Sequence, residues 1–415
     1  MIHPHTRAID PPSVALAIFL WMFALYRPLW QAIPQYSGLI LAGSTVALLG
    51  LSLLGRSGLP RRYHLGLYGT AGIALSALLL DTVVRPNDLS ISTIGDFAQF
   101  GLIPIFIASR MQCTRCFLFT FGVLSFPALA MYAFDPLRDY AISGDYMTYG
   151  FQGMLPALIG LITLAAVTRK PWVAAPVPAL LVLIGIFANR MATFVALVFI
   201  LAVLVRHYRH PTPRQVLRIL TLSALTTTLV LNAGSVLHFT ASKLTQMGIS
   251  SYSLRTIEYT LQTGSISDAG RLDIYSAAGK AFNQAPVTGL GARHFEAING
   301  TYPHNIFLDI LVSYGVIGFL VLTVILVRIL LSFWNLSDTQ FYLYSALFAM
   351  GFLELLTSTV LWEHPAFWVL VSFSFLYAGD VPRKDIFGEE NGPSRPAAPP
   401  LNGNRELRPE GTTHA

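Results

Sequence analysis

Charged residues make up only 12% of this sequence, about half the share a soluble domain carries. At 415 residues, with 54% hydrophobic residues and a mean hydropathy of +0.58, the chain cannot clothe the two or three soluble domains its length would allow. The same apolar excess excludes disorder throughout. Cysteine is nearly absent. Cys113 and Cys116 form a C-x-x-C with no second pair and no thioredoxin-like context. Two ligands are half of what zinc takes, so both read as structural or incidental thiols on the inner side. No Walker A pattern occurs, which argues against ATP-driven transport by this chain alone. No D-x-D occurs, and the first outer connection, Arg27–Tyr36, holds no acidic residue. The acidic metal site of one large class of membrane glycosyltransferases therefore cannot be built there. What is left is an integral membrane protein.

What the chain does hold is long apolar runs. A helical span needs about 20 mostly apolar residues, and by that measure twelve spans are expected, at 13–26, 37–55, 65–84, 94–109, 116–134, 150–168, 172–188, 192–206, 216–237, 305–331, 341–361 and 365–379. The runs do not alternate as barrel strands would. The fold class predicted is an all-α polytopic membrane protein. Met1–Pro12 holds little charge and no small-residue cleavage site follows it, so the first span does not read as a cleavable signal. With the N-terminus in the cytoplasm, the inner connections up to Lys384 receive 15 Lys and Arg, and the short outer ones receive four: Arg27, Arg85, Arg138 and Arg190. This is the positive-inside asymmetry. The net charge of +6 is then explained by topology and anionic lipid, without a nucleic acid partner.

The expected organisation is transmembrane helices one to nine over 1–237, an outer loop over 238–303, helices ten to twelve over 304–379, and a disordered cytoplasmic tail rich in Pro, Gly and charge over 380–415. A 66-residue loop is too long for a mere connection. Within it Leu272, Tyr275, Ala278, Ala281 and Phe282 recur at helical spacing, so Arg271–Phe282 reads as an amphipathic helix on the outer interface. A second helix is expected over Leu244–Leu261.

The chemistry on the outer side is arginine and histidine. Arg190 lies in a tight turn between two spans, Arg271 opens the amphipathic helix, Arg293 follows Gly289-Leu-Gly291-Ala, and His304 precedes Asn305 at the start of the tenth span. Singly, each arginine reads equally well as snorkelling to headgroups, and His304 as an interfacial residue. Together they can perform a reaction. Arginine binds phosphate through bidentate, charge-assisted bonds and keeps its charge. Two or three could hold a diphosphate leaving group as a metal would, while one histidine takes a proton from an attacking hydroxyl. Intramembrane Asp81, Asp309 and Glu354 are costly when charged; Asp81 reads as a packing residue, and a carboxylate partner for His304 is left open between Asp309 and Glu296.

The order Asn189-Arg190, Gly270-Arg271, Pro286-Val-Thr-Gly289-Leu-Gly291, Pro303-His304-Asn305 and Gly315-Val-Ile-Gly318 resembles the signature of the O-antigen ligase/polymerase superfamily. That resemblance implies a GT-C-type, metal-independent, inverting glycosyltransferase of the bacterial inner membrane, with both termini cytoplasmic and a periplasmic active site. It implies a donor glycan on undecaprenyl diphosphate, membrane lipids as surroundings, and no cofactor. It also implies that Arg190 and Arg271 bind the diphosphate, with Arg293 as a third candidate. His304 would be the general base, and Asn305 would support it or cap the tenth helix. Ligase activity toward a lipid A-core acceptor is favoured on length, span count and loop placement. The alternatives are a polymerase or a protein O-oligosaccharyltransferase of the same superfamily. Outside it stand a lipid-linked sugar transporter, which would need repeat-related halves not visible here, and an assembly scaffold.

Overall fold

A computed structural model describes residues 10–55, 61–207, 271–333, 336–357 and 360–377, with isolated residues between 239 and 259. The expected ninth span, the helix over Leu244–Leu261 and the tail over 380–415 lie outside the described residues. Helices occupy the positions of the other eleven expected spans. They are α1 (Pro11–Ala32), α2 (Ser37–Leu53), α3 (Arg61–Val84), α4 (Ser90–Arg110), α5 (Thr114–Tyr132), α6 (Tyr146–Thr168), α7 (Val177–Phe187), α8 (Arg190–His207), α11 (Ile306–Ser332), α12 (Asp338–Leu347, continued by a π-helical turn over Phe348–Leu353) and α13 (Pro365–Tyr377). Between α8 and α11 run α9 (Arg271–Gln284) and the short α10 (His294–Asn299). Eight of the helices are long and apolar enough to cross a bilayer, and no strand occurs among the described residues. The chain is an all-α polytopic membrane protein.

The core is the packing of α5 on α6 and of α1 on both α5 and α2. Small residues allow the first of these approaches. A side chain on Gly122 would meet Leu164 and the Gly160 carbonyl, and one on Gly160 would meet Ser125. Close backbones of this kind are how helices associate without a hydrophobic driving force between them. Helix α1 is held to α5 by the Trp21 indole N–H donating to the Phe121 carbonyl at 3.0 Å and the Tyr132 hydroxyl donating to the Ala24 carbonyl at 2.9 Å. A buried polar atom in an apolar setting needs such a partner.

The helix ends sort into two faces. On one, Arg110 donates to the carbonyls of Ser52 and Gly55, Arg115 donates to Val167, and Arg206 pairs with Asp338 at 2.9 Å. On the other, Gln31 donates to the Ile142 carbonyl at 2.8 Å and Tyr140 to that of Phe187 at 2.7 Å. The first face carries Arg110, Arg115 and Arg206 of the charge count.

Three features differ from the sequence reading. Cys113 and Cys116 are joined as a disulfide rather than standing as thiols, because the turn opening α5 brings them side by side. The eleventh span ends near Leu356 instead of 361, since Leu361–Glu363 form a separate 3-10 turn. The tenth is two helical pieces joined at Gly315, where φ is 62° and ψ is −159°. Hydropathy cannot register that break, as both pieces are apolar.

Candidate active site

The break in α11 is the foundation of the site. Interrupting a helix leaves carbonyls and N–H groups without intrahelical partners, and none can be left bare at membrane depth. The segment 286–291 supplies the partners. Leu290 and Gly291 donate to the carbonyls of Val312 and Ser313 at 2.8 and 2.9 Å. Val316 and Ile317 donate to those of Pro286 and Val287 at 2.9 and 3.3 Å. Gly315 has a backbone conformation that side chains resist, and a Cβ there would strike the Val287 carbonyl. Gly289, with φ of 70°, lies so close to Ser313 and Tyr314 that a Cβ would overlap their backbone.

The far side of this segment is latched by the C-terminal end of α3 and the residues after it. Arg85 donates to the carbonyls of Thr288 and Gly289 at 3.1 and 2.7 Å and to the Thr288 hydroxyl at 3.0 Å. Asn87 donates to the Ala292 carbonyl at 3.1 Å, and Asp81 accepts the Ala292 N–H. Asp81 is a packing residue, in agreement with its sequence reading.

The latched segment delivers Arg293, whose φ of 52° turns its side chain back into the bundle. Its Nε and Nη2 bind both oxygens of Glu296 at 2.8 Å. Nη1 reaches Asp96 on α4 at 3.1 Å and Glu363 at 2.8 Å. The bond to Glu296 raises the guanidinium pKa, with burial acting against it. Burial lifts the Glu363 carboxyl, and the Arg293 charge pulls it back. One cation thus serves three carboxylates. Asp96 and Glu363 were not among the residues singled out from the sequence; each lies too far along the chain from Arg293 for any motif to show the contact.

His304 and Arg271 are brought together. His304 sits with φ of 53°, half-buried, its Nε2 3.3 Å from the Thr301 hydroxyl and its ring 4.1 Å from that of Tyr302. A non-glycine residue held in this region is found where structure over-determines it, commonly at functional sites. Burial lowers the imidazole pKa and the Arg271 charge lowers it further, while the Thr357 backbone works the other way. The ring is therefore neutral near pH 7 and able to accept a proton. Arg271 opens α9, which is anchored against α11 through Ala278, Ala281 and Val312. Asn305 is the N-cap of α11, its side-chain oxygen accepting from the N–H groups of Phe307 and Leu308 at 2.9 and 3.3 Å. That cap fixes the residue next to His304.

Arg190 opens α8. Asn189 caps α8 by accepting the Ala192 N–H at 2.6 Å, leaving Arg190 exposed at the helix start. No hydrogen bond or ion pair joins it to Arg271, Arg293 or His304 among the described residues. No group of three or more His, Cys, Asp or Glu side chains there could hold a metal ion.

Residues 154–323 match the family model described as O-antigen ligase. No curated protein and no solved structure is a match for the chain. The matched stretch runs from α6 through the break in α11 and contains Arg190, Arg271, Arg293, His304 and Asn305. That stretch is an O-antigen ligase family domain, and it supports a likeness of the chain to the O-antigen ligase/polymerase superfamily.

Proposed function

We propose that this protein is an O-antigen ligase, transferring a glycan from undecaprenyl diphosphate to a lipid A-core acceptor on the periplasmic face of the inner membrane. What supports this reading is His304, held at positive φ just before the broken α11 and within electrostatic reach of Arg271, with burial and then that charge lowering the imidazole pKa. The imidazole removes the proton from the acceptor hydroxyl as that oxygen attacks the anomeric carbon. The bond from that carbon to the diphosphate breaks with inversion, and Arg271 and Arg190 hold the departing charge. Arg293 is left out of the phosphate pair, because carboxylates engage its donors; its role is to fix the 286–293 segment against α4 and the 361–363 turn. Asn305 acts through the cap that sets the His304 backbone.

His304→Ala and Arg271→Ala are expected to abolish glycan transfer while the protein still inserts into the membrane. Wild-type surface polysaccharide from cells carrying either variant would end the assignment. Reconstitution of purified protein with labelled donor and, separately, lipid A-core, a second lipid-linked glycan or a protein acceptor tests the ligase reading. Mass gained by anything other than lipid A-core replaces ligase with polymerase or protein glycosyltransferase.

A further inference from the structure

Three helices of the bundle contain π-helical turns, over Phe97–Leu102 in α4, Tyr149–Met154 in α6 and Phe348–Leu353 after α12. Such turns make up well under 1% of residues in proteins and gather at functional positions. All three converge on one cavity of about 220 Å³, contributing Phe100, Phe151, Gln152 and Met350 to its wall. Glu354, the residue after the third turn, lines it as well, together with Glu363 and His364.

The cavity is two-sided in character. Its floor is apolar, from Leu20, Phe23 and Ala24 of α1, with Phe100 and Phe151 beside them. Its upper wall carries two carboxylates, an imidazole and an amide. His364 is 92% buried (8% exposed), and neither ring nitrogen makes a hydrogen bond among the described residues, although a Glu354 oxygen lies 3.3 Å from Nε2 at ion-pair distance. A buried ring with unused polar atoms facing a cavity is costly unless a ligand meets them.

We infer that this cavity binds one neutral, hydroxyl-bearing sugar ring of the acceptor, gripped by Glu354, Glu363, His364 and Gln152 over a floor of phenyl rings. The charge on the wall decides against the diphosphate. Glu354 and Glu363 line it, and the cation bound to Glu363, Arg293, is shared with two further carboxylates, Asp96 and Glu296. Phosphate would be repelled, whereas a carboxylate accepts paired bonds from neighbouring hydroxyls, and phenyl faces suit the apolar side of a pyranose. The volume is below the roughly 300–1,000 Å³ of sites for drug-sized ligands, which fits a single ring rather than an oligosaccharide. The position fits an acceptor too. Glu354 and Glu363 both act electrostatically on Tyr302, whose ring lies against His304, so the cavity wall and that imidazole share one neighbourhood. The assignment of the ring to the acceptor rests on the reading of His304 as the base; binding of a sugar in the cavity does not.

The test is saturation-transfer NMR on the full-length protein in nanodiscs, with methyl glycosides of common hexoses as probes. Wild-type protein and His304→Ala are both expected to saturate at least one methyl glycoside, and Glu354→Gln and His364→Gln to lose that signal by about tenfold or more. The amide substitutions are near-isosteric, and a melting temperature for each separates loss of binding from loss of fold. Should either variant not fold, Gln152→Ala reports on the same wall. No saturation in wild type, equal saturation in all variants that fold, or displacement of the probe by decanol or ethanolamine in place of sugar each overturns the inference. If His304→Ala keeps full transfer activity while the cavity variants lose sugar binding, the catalytic reading falls and the sugar site stands.

Discussion

At the scale of single residues, the two arginines nearest the site have opposite surroundings, and this separates their consequences. Arg293 touches three carboxylates and its side chain is 13% exposed, so Arg293→Ala strands partly buried negative charge. Breaking a fully buried pair costs about 3–5 kcal/mol; with Glu363 still 38% exposed, about 2–3 kcal/mol is expected here. Arg271 has no carboxylate partner among the described residues, so Arg271→Ala is expected to leave the melting temperature within error while transfer is lost. Thermal unfolding of both variants in one detergent checks the contrast, and equal destabilisation would contradict it. The pH profile belongs at this scale as well. Because burial and Arg271 hold the His304 pKa below its ordinary 6.5, the base is lost only as pH falls past that lowered value. The acid limb of transfer should therefore lie below pH 6.5, and the residual rate of Arg271→Gln should show it displaced upward. The placement of His304, Asn305 and Arg271 at helix starts was legible in the sequence, because a local motif marks each start. The function of Arg293 was not, since its partners at 96 and 363 come from other helices.

The helices and their interruptions raise a different question, namely which glycines are structural. Gly289, Gly291, Gly315 and Gly318 were visible as a pattern, yet the tenth span read as one continuous run because hydropathy averages over backbone geometry. Gly315 combines a positive φ with a neighbouring Val287 carbonyl where a Cβ would go. Gly315→Ala is accordingly expected to cost about 3 kcal/mol, from strain of about 1–3 kcal/mol and a comparable overpacking term relieved by local shifts. Gly43 in α2 has nothing within 4 Å of its Cβ position, and Gly43→Ala should be neutral or stabilising by up to about 1 kcal/mol. Melting temperatures of the pair measure the difference, and a mild Gly315→Ala would mean the 286–291 segment can detach without loss. The π-helical turns were equally hidden. An inserted residue changes hydrogen-bond register but not composition, so Phe100, Phe151 and Met350 read as ordinary span residues. Span existence was plain from apolar length alone; span interruption was not.

For the molecule as a whole, the two faces of the bundle make orientation a single binary choice. The helix ends at 110–115, 165–170 and 206–207 share one face, and α9, His304 and Glu363 the other, because ion pairs and backbone bonds tie the ends together on each. Moving one helix would break contacts such as Arg206 with Asp338 or Arg293 with Asp96. Positive charge then chooses which face is inside, at a cost in translocation for every Lys and Arg carried across. Lys170 and Lys280 are exposed on opposite faces and suit labelling after Cys113 and Cys116 are both replaced by serine. Lys280→Cys is expected to react with a membrane-impermeant maleimide added to spheroplasts, and Lys170→Cys only after permeabilisation. The reverse pattern would put His304 on the cytoplasmic side, where glycan export has not yet occurred, and would remove the periplasmic acceptor from reach. It would also place the Cys113–Cys116 disulfide on the oxidising side of the membrane, where such bonds persist. The charge count and the disulfide therefore pull toward opposite orientations. The charges prevail in this reading because 15 basic residues on one side are topogenic during insertion, whereas a pair of adjacent thiols can close or open afterwards without moving a helix.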